Sequence, residues 1–253
     1  MKGLRTAVCL AAILAIGGCA GGGLESPKPP AMNPALCRAA YMSLQSNGGF
    51  KAWQGLGPVR AKAVLSIHEP GAQEYVTAVG LTIDLAGGVL EASGQTATGA
   101  WQARAGIDGT YTLSGEGLPG EPARQEQIGK ALATILHRLR GPMNLLLGSD
   151  RPAGASREAD VDGVEVVRLP VAGGAFDAKA YYFDKADRRL AFLTAGADAP
   201  GGKGAVTLYE YRTFRGGLAF PSRLRLIRVG TNVLVGRQGD DLLLDVTFSH
   251  VQL

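Results

Sequence analysis

VRAKAVLSIH, residues 59–68, is where the sequence stops reading as helix and starts reading as sheet. Its odd positions are Val59, Ala61, Ala63, Leu65 and Ile67; its even positions are Arg60, Lys62, Val64, Ser66 and His68. One apolar row alternating with a mostly polar one is the period of a strand with a single buried face. Glu69-Pro70-Gly71 then marks a turn, and 75–85 repeats the pattern, with Tyr75, Val79, Leu81, Ile83 and Leu85 on its apolar face. Shorter strand-like runs follow at 88–93, 98–105 and 110–114, with glycine at most junctions.

One helix interrupts the strands. Ile128, Ala131, Leu132, Ile135, Leu136 and Leu139 recur at helical spacing and make one apolar stripe. Pro122 opens the segment and Gly141-Pro142 closes it. The stripe must dock on something, and a sheet is the large apolar partner that this sequence supplies. After a loop at 149–160, strands resume at 164–169, 174–183, 189–194, 204–214, 217–228, 232–237 and 241–252. In 217–228, Leu218, Phe220, Leu224 and Leu226 face inward while Arg223 and Arg225 face out. Short links imply antiparallel neighbours. The expected fold class is mainly β (α+β): a curved antiparallel half-barrel of about eleven strands with helices on its concave face, because so wide a sheet does not stay flat.

Upstream of the first strand, Asn33-Pro34 reads as an N-cap followed by proline at the first helical position, and Asn47-Gly48-Gly49 stops that helix. Residues 20–32, AGGGLESPKPPAM, read as a flexible tether. Before them, Lys2 and Arg5 form a short positive region, and Ala7 to Ile16 an apolar run too short to span a bilayer. Ile16-Gly17-Gly18-Cys19 resembles the lipobox of bacterial lipoprotein signals: an aliphatic residue, two small residues and a cysteine. That resemblance implies lipid on the Cys19 thiol and cleavage before it. The division expected is a lipoprotein signal peptide at 1–18, a lipid-anchored tether at 19–33 and a folded domain at 34–253. Ala20, where an aspartate often marks inner-membrane retention, favours the periplasmic face of the outer membrane of a Gram-negative bacterium.

The chain carries 26 basic and 22 acidic residues, a mild balance with no interleaved basic and aromatic stripe, so nucleic acid is not an expected partner. Of three cysteines, Cys9 leaves with the signal and Cys19 takes lipid, so Cys37 stands alone and reads as a small buried hydrophobe beside Leu36, Ala40 and Leu44. No disulfide framework and no cysteine-rich metal site can form from this set.

The runs YYFDKADRRLAFLTA (181–195) and VTLYEYRTFRGGLAFPSRLRL (206–226) are similar to the lipoprotein-carrier superfamily of LolA, LolB and RseB-type regulators. The likeness rests on Phe183-Asp184 at a hairpin, on Tyr211-Arg212 ending a tyrosine-rich strand and on Gly217-Leu218-Ala219-Phe220-Pro221. GGFKAWQGL (48–56) is similar to the segment before the first strand of that group. The resemblance implies a LolA-like half-barrel that binds or hands over a lipid or a lipoprotein acyl chain. The candidate cavity residues are Leu65, Ile67, Tyr75, Leu81, Ile83, Trp101, Phe220, Leu224 and Phe248, which equally suit a solid core. The alternative is a structural or regulatory outer-membrane lipoprotein of the same fold, working through contacts with an envelope protein and holding no ligand.

No catalytic machinery is visible. His137 lies opposite the helical stripe and is expected in solvent, His68 sits on a polar strand face, and His250 continues the apolar face of the last strand. The three do not share metal-ligand spacing. GADAPGGKG (196–204) lacks phosphate-loop spacing, and Glu158, Asp160 and Asp162 read as a solvated loop. The expectation is a non-enzyme with no cofactor and no metal. Cys19→Ala should abolish stable anchoring, since one acyl chain holds only marginally and two or three on one cysteine, at about 0.8 kcal/mol per buried methylene, supply it. Detergent-phase partitioning reads this out: unchanged partitioning of the variant contradicts the anchor.

Overall fold

The computed structural model describes residues 34–68, 73–161, 163–172, 176–196, 204–214, 217–229 and 242–253. The signal segment, Cys19, the tether, Asp162, the strand expected at 232–237 and the side chain of Cys37 lie outside the described residues. In chain order the elements are α1 (Pro34–Ser46), α2 (Phe50–Gln54), β1 (Val59–Ile67), β2 (Tyr75–Asp84), β3 (Val89–Thr96), β4 (Gly99–Gly106), β5 (Tyr111–Ser114) and α3 (Pro122–Arg140). There follow α4 (Met143–Leu146), β6 (Arg151–Pro152), β7 (Arg157–Val161), β8 (Val164–Ala172) and β9 (Ala178–Asp184). The chain continues through β10 (Leu190–Ala195), β11 (Gly204–Thr213), β12 (Ala219–Val229) and β13 (Leu242–Gln252).

Thirteen strands form one curved antiparallel sheet that does not close into a barrel. Its order is β5-β4-β3-β2-β1-β13-β12-β11-β10-β9-β8-β6, with β7 also paired to β8. Two meanders therefore meet where the first strand pairs with the last, Leu65 opposite Val246 and Ile67 opposite Leu244. The segment expected as a loop at 149–160 instead holds β6 and β7. Short and rich in charge, it carries too little alternation to announce strands, and their pairing to β8 supplies what local sequence does not.

The alternation of β1 holds throughout: Val59, Ala61, Ala63, Leu65 and Ile67 are buried, and Arg60, Lys62 and Val64 are exposed. We call the buried side the inner face. α3 crosses it, placing Ile128, Leu132, Ile135 and Leu136 in one cluster with Leu65, Ile83 and Leu90. Burial of each such side chain contributes about 1.5–3 kcal/mol. α2 closes the end of the core: Trp53 stacks on Phe220 at 6.4 Å, Phe220 meets Phe248 edge-on at 5.7 Å, and Trp53 Nε1 donates to the Asn47 carbonyl at 2.8 Å. Gly48 and Gly49, both at positive φ, turn α1 into α2. On the outer face of the β7–β11 side, Val161, Val166, Tyr182, Phe192 and Val206 form a second, smaller cluster.

The motifs behind the family resemblance have local causes. Asp184 Oδ1 accepts from the Ala186 amide at 2.6 Å and the Asp187 amide at 3.3 Å, which builds the β9–β10 hairpin. Pro221 lies beside a register shift between Glu210 and Tyr211, where the ladder does not need its missing N–H.

Gly129 sits mid-helix where it should weaken α3, yet Tyr111 of β5 occupies the space its side chain would fill. Alanine there gains about 1 kcal/mol of helix propensity. Its Cβ, however, would stand 2.2 Å from Tyr111 Cδ2 and 2.6 Å from Cγ, so the ring cannot swing clear without its strand. Overpacking costs about 1–3 kcal/mol and wins. Gly129→Ala should therefore lower the urea midpoint, and Tyr111→Ala should cost less in that background than in wild type, a coupling that a double-mutant cycle measures.

Candidate functional site

The chemically dense part of the interior lies where α3 ends. α4 and the turn after it fold back against the helix, so the side of α3 opposite its apolar stripe is also covered. His137 is accordingly 1 % exposed, and the expectation that it is solvated is wrong. Its ring packs on Phe176 at 4.6 Å between centroids. Its Nε2 lies 3.1 Å from Asp150 Oδ2, and its Nδ1 lies 2.9 Å from Arg138 Nη1. Tyr181 Oη on β9 donates to the same carboxylate at 2.5 Å. Asn144 Nδ2 donates to the His137 carbonyl at 2.8 Å and reaches Tyr181 Oη at 3.3 Å. Tyr209 Oη on β11 donates to the Arg138 carbonyl at 3.2 Å.

The guanidinium fixes the tautomer. Arg138 can only donate, so Nδ1 accepts, and the proton of a neutral imidazole sits on Nε2, aimed at Asp150. A second proton would put an imidazolium against Arg138 and near Arg140. Burial holds the His137 pKa below its ordinary 6.5, and the charges of Arg138 and Arg140 add to it against the pull of Asp150. Burial by itself raises Asp150, but the hydrogen bonds from His137 and Tyr181 and the Arg138 charge outweigh it and leave the carboxyl below its usual range. Burial and the adjacent carboxylate push the Tyr181 hydroxyl well up. At neutral pH this is a cation, a neutral ring and an anion in series, sealed from solvent. It orders α3, α4 and β9 relative to each other, and no substrate can touch it.

The nine candidate cavity residues come together in one core cluster on the inner face. Leu65, Ile83 and Phe220 expose none of their surface, so no water-sized space borders them. Ile67, Leu81, Trp101, Leu224 and Phe248 are buried, and Tyr75 is half-buried with the Arg124 guanidinium 5.4 Å from its ring centre. Phe220 packs between Trp53 of α2 and Phe248, and Leu65 and Ile83 share their cluster with the α3 stripe.

An apolar pocket opens elsewhere, between α1 and strands β8 and β9, with a volume of about 250 Å³. Ala39 and Met42 of α1 and Val167 and Phe183 of the sheet line it; Arg38, Glu158, Lys185 and Arg188 ring the mouth. Lys185 is tied to Glu158 at 3.0 Å and to Glu165 at 3.6 Å. Arg188 holds its place in the hairpin at φ 63°. The sequence offered one sign of this pocket: Met42, two residues from both Ala40 and Leu44, puts a large apolar side chain on the side of α1 opposite their row.

The remaining residues singled out in the sequence are scattered. His68 pairs with Glu74 at 3.3 Å. His250 does not continue an apolar face: it is exposed at φ 50°, beside a bulge where the β1–β13 register shifts between Arg60 and Lys62. Glu158 and Asp160 lie on β7 rather than in a loop. Arg223 pairs with Asp245, and Arg225 with Glu210 at 3.2 Å, so the basic outer row is neutralised across the ladder. Among the described residues no group of three or more histidines, cysteines or acids could hold a metal ion.

Linkage gives the network a pH signature. Below 6.5 the unfolded chain binds a proton at His137 that the folded chain refuses, so stability is full above that pH and falls as pH drops, by up to about 1.4 kcal/mol per unit. Asp150 adds a second loss below its ordinary 3.8, as pH falls through its lowered folded value. His137→Leu should cost about 3 kcal/mol, because Arg138 and Asp150 lose their shared partner while buried. Urea melts from pH 7.5 to 5 should show the upper slope in wild type and its flattening in the variant.

No protein-family profile matches the chain, and no curated protein matches it in sequence. Solved structures do match. A LolA superfamily protein from Nitrosomonas europaea aligns over 86 % of this chain and 91 % of its own, at TM-score 0.52 and 10 % identity. A DUF1329 family protein from Desulfovibrio piger aligns over 86 % and 92 % at TM-score 0.40 and 10 % identity. The lipoprotein LppX of Mycobacterium tuberculosis aligns over 87 % and 96 % at TM-score 0.29 and 12 % identity. The two looser matches carry no weight. The first shows that this sheet, with its helices on one face, is a LolA-like half-barrel.

Proposed function

We propose that the protein is a lipid-anchored envelope lipoprotein that binds a lipid or a lipoprotein acyl chain without catalysing a reaction on it. The observation that carries this reading is the pocket between α1, β8 and β9: apolar walls, a charged rim, and a place beside the first described turns of the chain. Its volume lies just under the range of about 300–1,000 Å³ usual for small-ligand sites, which suits a narrow chain better than a bulky one. Arg38 and Arg188 at the mouth offer charge to an anionic head group, beside a Lys185 already paired with Glu158 and Glu165, while Met42 and Phe183 meet its tail. The fold likeness to a LolA superfamily protein supports the same class.

The anchor and the pocket fit together. Cys19 and the residues up to Asn33 are fifteen in number and bridge at most about 50 Å. That length keeps the pocket within reach of the membrane that holds Cys19, which we take to be the outer membrane at its periplasmic face. The absence of catalysis is supported by the burial of the His137–Asp150 pair, since a general base must lie within hydrogen-bond reach of its substrate.

A second reading has its own observation. The tight packing of Leu65, Ile83 and Phe220 favours a scaffold with a solid core that acts through contacts with an envelope protein.

Native mass spectrometry of the full-length chain released from detergent separates the two. The lipid reading expects bound phospholipid or fatty acid at micromolar supply, lost in Ala39→Trp, which fills the pocket from the half-buried side of α1. A lipid-free wild type that captures a stable protein partner favours the scaffold.

A further inference from the structure

We propose a second ligand site on the outer face of strands β1–β5: a trough that holds an extended, carboxylate-bearing glycan. A twisted sheet is saddle-shaped, so even its outer face is concave along one diagonal. Here that concavity forms two adjoining hollows of about 660 Å³ and about 580 Å³, which share Lys62, Gly80, Ser93 and Gln102. Small residues make the floor. Gly80 lies opposite Lys62 on one side and Ser93 on the other, and Ala78 and Ala100 extend the same low surface.

The lining selects the occupant. Arg60 and Lys62 stand two residues apart on β1, about 7 Å along the strand, and neither makes an ion pair among the described residues. Arg104 adds a third cation, and Glu91, 3.7 Å from it, is the acid in the hollow. The trough is thus short of negative charge. Ser93 on β3 and Gln102 on β4, with Thr112 and Ser114 on β5 beyond Arg104, present hydroxyl and amide groups on neighbouring strands about 4.8 Å apart. From Gln252 on β13 to Ser114 on β5 the row spans about 24 Å. A flat bilayer cannot reach a concave floor, and a folded protein would want a deep apolar pocket for an anchoring side chain, which these residues do not offer. A long, narrow, hydroxyl-rich polymer with carboxylates matches length, shape and charge.

The position of the trough agrees. It lies on the sheet face opposite α1 and on the strands farthest from β8 and β9, so a chain tethered through α1 turns it away from the membrane. That orientation rests on the proposed anchor; binding at the trough does not. The trough and the α1 pocket share no lining residue, so each can fail without the other.

Isothermal titration of the full-length chain in detergent tests it with hexagalacturonate, with maltohexaose as the neutral glycan, hexaglutamate as the peptide polyanion and phosphatidylglycerol vesicles as the membrane. The expected result is saturable hexagalacturonate binding that weakens as salt rises. The three other probes should bind at least about tenfold more weakly. R60E/K62E, two exposed positions that the fold does not need, should lower affinity by about tenfold or more, and Gly80→Thr, which fills the floor, should do the same. No saturable binding, binding that R60E/K62E leaves intact, or equal binding of any of the three other probes overturns the proposal.

Discussion

The seam between β1 and β13 is the contact on which the molecule depends. Each half of the sheet is a local meander, buildable from neighbours in sequence, and each carries its own helix: α3 on β1, β3, β4 and β5, and α1 on β8 and β9. The seam joins residues as far apart as Lys62 and Ser249, 187 positions along the chain. Closing so long a loop costs entropy before any reward arrives, which marks the seam as a late and slow event in folding. Once made, it turns two ribbons into one curved wall, and the residues of both halves share one core.

Much of this was legible in the residues. The alternation in 59–68 and 75–85 located β1 and β2, and the stripe from Ile128 to Leu139 located α3. Signals of that kind are strong because one face is wet and the other dry, so the pattern repeats over many residues. β6 and β7 were not legible, since β7 (READV) owes its strand geometry to Glu158 lying opposite Val167 rather than to its own alternation. The nine inner-face residues were identified as a set, but their sequence could not say whether they enclose space. That is a question about volume, and Ala39, Met42, Val167 and Phe183 answer it from three different elements.

His137 is the more instructive miss. The helical wheel puts it opposite the stripe, which is right, and calls that side solvent, which is wrong. Met143, Leu145 and Leu146 were the overlooked sign: they need cover too, and α4 finds it between α1 and α3. A helix covered on two sides buries polar groups on both, and Arg138, His137, Asp150 and Tyr181 meet most of that need by bonding to one another, with Arg138 Nε left without a partner.

An open sheet leaves two rims, and rims of unpaired amides are templates for a stranger's strand. This protein ends its sheet with short strands at both sides. β6 is two residues long, and one of them is Pro152, which has no amide to offer. β5 is four residues long and stops at Gly115, whose positive φ bends the chain away. The brevity of its outermost strands lets a half-barrel stay open at high local concentration without growing, strand on strand, into a fibre.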